Sequence, residues 1–396
     1  MRTVKVLAAG ALVALALAAC SSGKGGGAAS GNGSDAAANS AELRIQLDKQ
    51  LGEHAILGVT LLQDMINRQP AAAPEAALLI GKNTDELGAS VAAAYGAKAG
   101  DQFKQLWKNQ VGILVRYTVA RGAGDQAGAA KAKQDLTAYQ SQFATFMAGV
   151  APKLPKQVVA SDAKQRLAGM VAAIDATATH SQQQAANQFA AVYEHMFSSG
   201  ATLAAATGAA PSASASKAND LRSTIDMQLG EQAALTTLVL DKAVTGAPDA
   251  KAYGAVLGKN TQALTQSIGS VYGRPAGSKF KSLWNAHLSA LLNYTAGKAS
   301  HNQAKVQAAQ QELKGFSDNL AGFFAGANPN LSKSELAGLL TTQVNQVVGA
   351  VDASLAKNPI VATNSLTGAY EQSFAIGDKL ADGIAKQFPD KFAPAN

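Results

Sequence analysis

The chain has 396 residues, of which 47% are hydrophobic, 6% aromatic and 15% charged, with a formal net charge of +7 and a mean hydropathy of +0.00. That length is ample for a buried core and allows two or three domains. The single cysteine excludes an internal disulfide and any cysteine-built zinc site, and an apolar content dominated by Ala, Leu and Val favours helix over sheet.

At the N-terminus, Arg2 and Lys5 precede an uncharged apolar run over residues 6–19. This pattern reads as a signal peptide, residues 1–19, too short to span a bilayer comfortably. The run ends in Leu17-Ala18-Ala19-Cys20, which resembles the lipobox of bacterial lipoproteins. The resemblance implies cleavage before Cys20, transfer of diacylglycerol to its thiol, and acylation of the new N-terminus, as with palmitate. Two or three acyl chains anchor stably where one is marginal. The expected location is therefore the cell membrane, lipid-anchored on the extracytoplasmic face, with the lipid membrane as partner through acylated Cys20. Residues 20–40 are rich in Gly, Ser and Ala and read as a flexible tether with an end-to-end reach of roughly 25 Å.

Beyond the tether the chain repeats itself. Residues 47–55, LDKQLGEHA, match 225–233, IDMQLGEQA; 79–96, LIGKNTDELGASVAAAYG, match 256–273, VLGKNTQALTQSIGSVYG; 103–118, FKQLWKNQVGILVRYT, match 280–295, FKSLWNAHLSALLNYT. Residues 135–149 and 191–197 find partners at 312–326 and 368–374, always at an offset of 177 or 178. The expectation is an all-α chain of two tandem homologous antiparallel helical bundles, residues 41–206 and 217–390. A linker at 207–216 joins them and a tail at 391–396 follows. Turn signals around Pro70, Gly96, Gly122 to Gly124, Pro152 to Pro155 and their counterparts divide each copy into about six helices. Apolar spacing of three and four, as in Leu47, Leu51, Gly58, Leu61 and Met65, supports helix throughout. Trp107 and Trp284, each followed ten residues later by Tyr117 and Tyr294, read as core anchors.

Several polar residues fall on the apolar seam of these helices. His54 and Gln232 take matching places on the first helix of each copy, Gln110 and His287 on the third, and His195 and Gln372 flank the seam of the sixth. Gln343 stands where the first copy has Arg166. The neighbouring acids, Glu53 with Glu231 and Glu194 with Glu371, do not vary between copies. A buried imidazole or amide without a partner costs about 1–3 kcal/mol, so these groups should meet one another or a ligand. One reading is a metal site for copper, iron or zinc, built from His54, Glu53, His195, Glu194 and His287. Against it, His alternates with the poor ligand Gln, and adjacent Glu-His pairs lie about 100° apart on a helix. The other readings are a hydrogen-bonded layer that sets helix register and a site for a small polar ligand at the same residues. No cofactor is implied beyond that candidate transition metal.

Gly81-Lys82-Asn83-Thr84 and Gly258-Lys259-Asn260-Thr261 look like the end of a phosphate loop but lack the upstream glycine and the preceding strand. They read as helix-surface or turn residues. No nucleophile–base motif is present, so an enzyme is not the expected class. Lys and Arg are scattered without runs of four. Such a surface suits an envelope protein or wall polymer and carries no nucleic-acid footprint.

Glu53-His54, Leu283-Trp284-x-x-His287-x₆-Tyr294 and Tyr193-Glu194-His195-Met196 together resemble a group of helical exported bacterial proteins. Some of those carry a copper amine oxidase label. The resemblance covers both copies and implies His at the seam positions, marking His54, His195 and His287, with Gln110, Gln232 and Gln372 as departures. The oxidase chemistry itself needs a β-rich scaffold and a quinone-forming Tyr beside three His, which these residues do not provide. The expected function is non-enzymatic binding or scaffolding at the cell envelope, with metal handling as the alternative.

Overall fold

The computed structural model describes residues 32–67, 73–205 and 216–392, without the side chains of 32–40 and 73–75. The signal peptide, Cys20, much of the tether, most of the linker and the last residues of the tail lie outside the described residues. Within them the chain is all-helical. The helices are α1 (Asn32–Ile66), α2 (Ala73–Tyr95), α3 (Ala97–Ala123), α4 (Gln126–Val150), α5 (Lys156–Ala178), α6 (Gln182–Ala205) and α7 (Lys217–Thr245). They continue as α8 (Ala250–Tyr272), α9 (Arg274–Ala299), α10 (Gln303–Ala327), α11 (Lys333–Leu355), α12 (Pro359–Gln387) and a short α13 (Pro389–Phe392). α1 begins inside the segment read as tether, where the Ala36 to Ala38 run favours helix, and α13 reaches into the expected tail.

Local chemistry sets the ends. Asp125, Asn302, Ser332 and Asn358 cap α4, α10, α11 and α12 by accepting from the backbone N–H three residues on. Gly96 and Gly273 are single-residue joints between α2 and α3 and between α8 and α9, with φ of 92° and 90°. Side chains avoid that backbone region, so these positions call for glycine.

α1 to α6 pack on one another, as do α7 to α12, and the two groups meet along α1, α2 and α6 on one side and α7, α8 and α12 on the other. Corresponding aromatic stacks anchor each group: Phe103 on Trp107 at 5.0 Å and Phe280 on Trp284 at 5.2 Å. The core of the first group extends into the second, which also keeps a core of its own around Phe280 and Trp284. Leu235, Leu238, Tyr253, Leu366 and Tyr370 belong to the same contiguous core as Trp107 and Phe143.

The junction is built from reciprocal contacts. Tyr193 on α6 donates to the Met227 carbonyl of α7 (3.2 Å), and Tyr370 on α12 donates to the Lys49 carbonyl of α1 (2.9 Å). Arg44 reaches Asp220 (2.5 Å) and Arg222 reaches Glu42 (2.6 Å). The same residue types thus face each other in both directions, as in an isologous dimer interface. Gly52 and Gly230 let the tyrosines approach. A Cβ on Gly52 would collide with the Tyr370 hydroxyl, and one on Gly230 would lie 2.5 Å from the Tyr193 hydroxyl.

Gly52→Ala is therefore expected to destabilise the chain by about 1–3 kcal/mol through overpacking. Gly81→Ala, on a helix with open space around it, should be neutral or stabilising by up to about 1 kcal/mol. Urea denaturation of both variants checks this; equal effects would contradict the role given to the junction.

Candidate functional site

The polar seam is organised by residues that sequence reasoning put on the surface. Lys82 is exposed, but Asn83 and Thr84 are buried against α1, and Asn260 and Thr261 against α7. They follow Ile80 and Val256 by one turn and so share the inward stripe. Asn83 Nδ2 donates to the Gln50 carbonyl (2.8 Å) and to Glu53 Oε2 (3.0 Å). Asn260 Nδ2 does the same to the Gln228 carbonyl (3.0 Å) and Glu231 Oε2 (2.7 Å). The helix-surface reading of the two Lys-Asn-Thr segments is thereby corrected. Their identity in both copies was the available signal.

His54 is buried beside this asparagine. Its Nδ1 lies 3.2 Å from Asn83 Oδ1 and 3.3 Å from the Trp107 indole N–H. Nδ1 either accepts from the indole or, as the protonated nitrogen, donates to Asn83. Behind Trp107 stands Arg166, itself buried, with its guanidinium 4.5 Å from the indole centroid and donating to Gln110 Oε1 at 2.5 Å. Burial, reinforced by this cation, holds the His54 pKa down at about 3.

The remaining seam residues lie elsewhere. His195 is half-buried, with Nε2 3.2 Å from Asp162 Oδ1 and 3.3 Å from the Asp162 carbonyl. Gln372 makes the corresponding bond to the Leu339 carbonyl at 3.2 Å. His and Gln therefore do one job here, docking the sixth helix of each group on the fifth. Glu194 is exposed. His287 stacks on Phe316, ring centroids 4.0 Å apart, and burial alone holds its pKa down at about 3. Its Nδ1, Trp284 Nε1 and Gln232 Nε2 have no partner among the described residues.

The structure does not bring His54, Glu53, His195, Glu194 and His287 into one ligand set. Glu53 and His54 share Asn83, His195 is on Asp162, Glu194 faces solvent and His287 belongs to the other group of helices. Among the described residues no three His, Cys, Asp or Glu side chains are grouped to hold an ion. In the first core the permanent charge of Arg166 also opposes a second cation. The hydrogen bonds present centre on Asn83 in the first group and Asn260 in the second.

A different feature has the shape of a binding site. At the junction α1, α2, α7, α11 and α12 enclose a cavity of about 260 Å³. Leu57, Leu238 and Leu366 contribute apolar wall, and Asp64, Asp241 and Lys242 stand at its polar end. At the equivalent place across the junction, Tyr253 stands for Ala76 and Phe189 for Leu366. There the two rings meet at 5.7 Å and the Tyr253 hydroxyl donates to Gln63 Oε1 at 2.7 Å. Two aromatics fill one side, while Ala and Leu leave the other open. Asp64 is half-buried, and its desolvation raises its pKa to about 7 against the pull of Lys242. No motif marks this site; the mismatch of Ala76 with Tyr253 was the sequence signal.

These carboxyl groups make stability depend on pH. Burial raises the pKa of Asp48, Glu53, Asp64, Asp226 and Glu231. Each group with a raised pKa favours folding below its unfolded value, and that contribution is lost as pH rises through the folded value, about 7 for Asp48, Asp64 and Glu231. His54 and His287, with lowered pKa values, act oppositely as pH falls below the usual imidazole value of about 6.5. Five acids outweigh two imidazoles, so the urea midpoint is expected to be higher at about pH 5.5 than at about pH 7.5. A lower midpoint at the acidic pH would contradict the burial of these groups.

No protein-family model, curated protein or solved structure matches the chain.

Proposed function

We propose that this chain is a lipid-anchored, non-enzymatic binding protein of the cell envelope, made of two homologous six-helix bundles whose junction holds the ligand. The repeat offset of 177 or 178 residues supports the tandem origin, and the Leu17 to Cys20 motif supports anchoring. The observation that carries the binding role is the cavity at the junction. It is concave, with a mostly apolar surface to which polar and charged side chains including Gln63, Asp64, Asp241 and Lys242 also contribute, the usual anatomy of a small-molecule site, at about the lower end of the usual size range. Duplication explains its origin: in a fused pair one junction can keep its aromatic filling while its counterpart loses it. The anchor would place this cavity outside the membrane on a tether, where it meets small molecules of the envelope.

Two measurements test this reading. Cys20→Ser is expected to abolish labelling by radioactive palmitate and release the chain from the membrane fraction; unchanged labelling would overturn the anchor. The neutral probe 4-phenylbutanol is expected to shift NMR signals of Leu57, Leu238 and Leu366 in the full chain. Ala76→Tyr, which installs the ring found across the junction, should abolish those shifts. Shifts that persist in Ala76→Tyr, or none in the parent chain, would overturn the cavity as the site.

A further inference from the structure

The charges around the junction cavity discriminate among ligands. Resting on the reading of that cavity as the binding site, we infer that its ligand is an organic cation, an apolar body ending in a protonated amine that meets Asp64.

The apolar wall fixes the body and the polar end fixes the head. Three carboxylates stand near that end, and two already have donors. Asp241 accepts from Ser354 Oγ at 2.6 Å, and Asp249 on α8 accepts from Lys242 Nζ at 2.8 Å. Asp64 has no hydrogen-bond donor among the described residues. Lys242, the one half-buried cation here, is held by Asp249 at 2.8 Å with its ammonium 4.6 Å from the Tyr253 centroid, and Gln63, whose carbonyl oxygen accepts from Tyr253, keeps only a neutral Nε2 without a partner. α2 contributes Ala76, and α12 contributes no ionisable side chain to the lining. The turn between α11 and α12 adds Lys357, which is exposed and therefore screened. Asp64, Asp241 and Asp249 thus face one enclosed lysine.

Backbone charge acts in the same direction. Asp64, Thr245 and Ser354 lie in the last turns of α1, α7 and α11, and helix C-termini favour cations. The N-termini of α2, whose first turn supplies Ala76, and of α12 at Pro359 oppose them, two ends against three. An anionic head would meet the unpartnered Gln63 Nε2 but would gain a half-buried countercharge only by taking Lys242 from Asp249, and it would face Asp64 and Asp241. A neutral head would leave the Asp64 carboxylate partly desolvated without a countercharge. An ammonium supplies the missing donor and charge together.

The test is titration calorimetry on the full chain with 4-phenylbutylamine, 4-phenylbutanol and 4-phenylbutanoate, which share one body and differ in the head. At about pH 8 the amine should bind at least about ten-fold more tightly than the alcohol, and the carboxylate more weakly than either. The amine's advantage should shrink at about pH 6, where Asp64 holds a proton. Asp64→Asn should erase the amine's advantage over the alcohol. An alcohol or carboxylate that binds as tightly as the amine would overturn the ligand class and leave the binding role standing. An amine preference that survives Asp64→Asn would overturn the place of Asp64. No binding by any of the three would overturn the cavity as a site, and this inference with it.

Discussion

Two tyrosine hydroxyls bonded to main-chain carbonyls across the junction set the geometry on which the rest of the structure depends. Tyr193 and Tyr370 are fully buried, and each hydroxyl must find an acceptor. The acceptors they find, at Met227 and Lys49, lie on helices of the opposite group. Within each first helix the carbonyl is adjacent to the glycine turn that admits the ring. α1 and α7 are consequently held face to face with α6 and α12, and the aromatic core of the first group extends into the second. The polar seam lies behind this junction, and the cavity at one end of it.

The two groups share positions but divide the work unevenly. The first carries a buried guanidinium sandwiched against Trp107 and tied to Gln110. The second has Gln343 there, bonded to Ser373 Oγ at 2.7 Å, and His287 stacked on Phe316. Charge and hydrogen-bonding partners were exchanged between the groups while the shape was kept. Corresponding positions thus take different partners, Arg166 on Gln110 in one group and Gln343 on Ser373 in the other. The asymmetry at the junction is different, because it changes volume. Ala76 and Leu366 against Tyr253 and Phe189 replace ring contacts on one side with space on the other.

Much of this architecture was legible in the chain itself. The spacing of apolar residues marks helices and their inward faces, since that information is local, and the offset marks the paired positions. Burial of His54, Gln110, Gln232 and His287 follows from their places on the seam. What periodicity cannot supply is the neighbour an inward residue will meet. His54 and His195 both point toward the protein, yet one meets Asn83 and Trp107 and the other Asp162. Asn83 was misread because a Gly-Lys-Asn-Thr string suggests a turn, whereas its register after Ile80 turns it inward. The continuous core and the cavity depend on contacts between residues about 180–320 positions apart, and nothing in either partner's local sequence announces them.

Xenon settles in apolar cavities, so a crystal of the chain held under xenon pressure would test the asymmetry most directly. Xenon is expected beside Ala76 and Leu366, and none at the equivalent place filled by Tyr253 and Phe189. Equal occupancy at both places, or none at either, would contradict a junction closed on one side and open on the other.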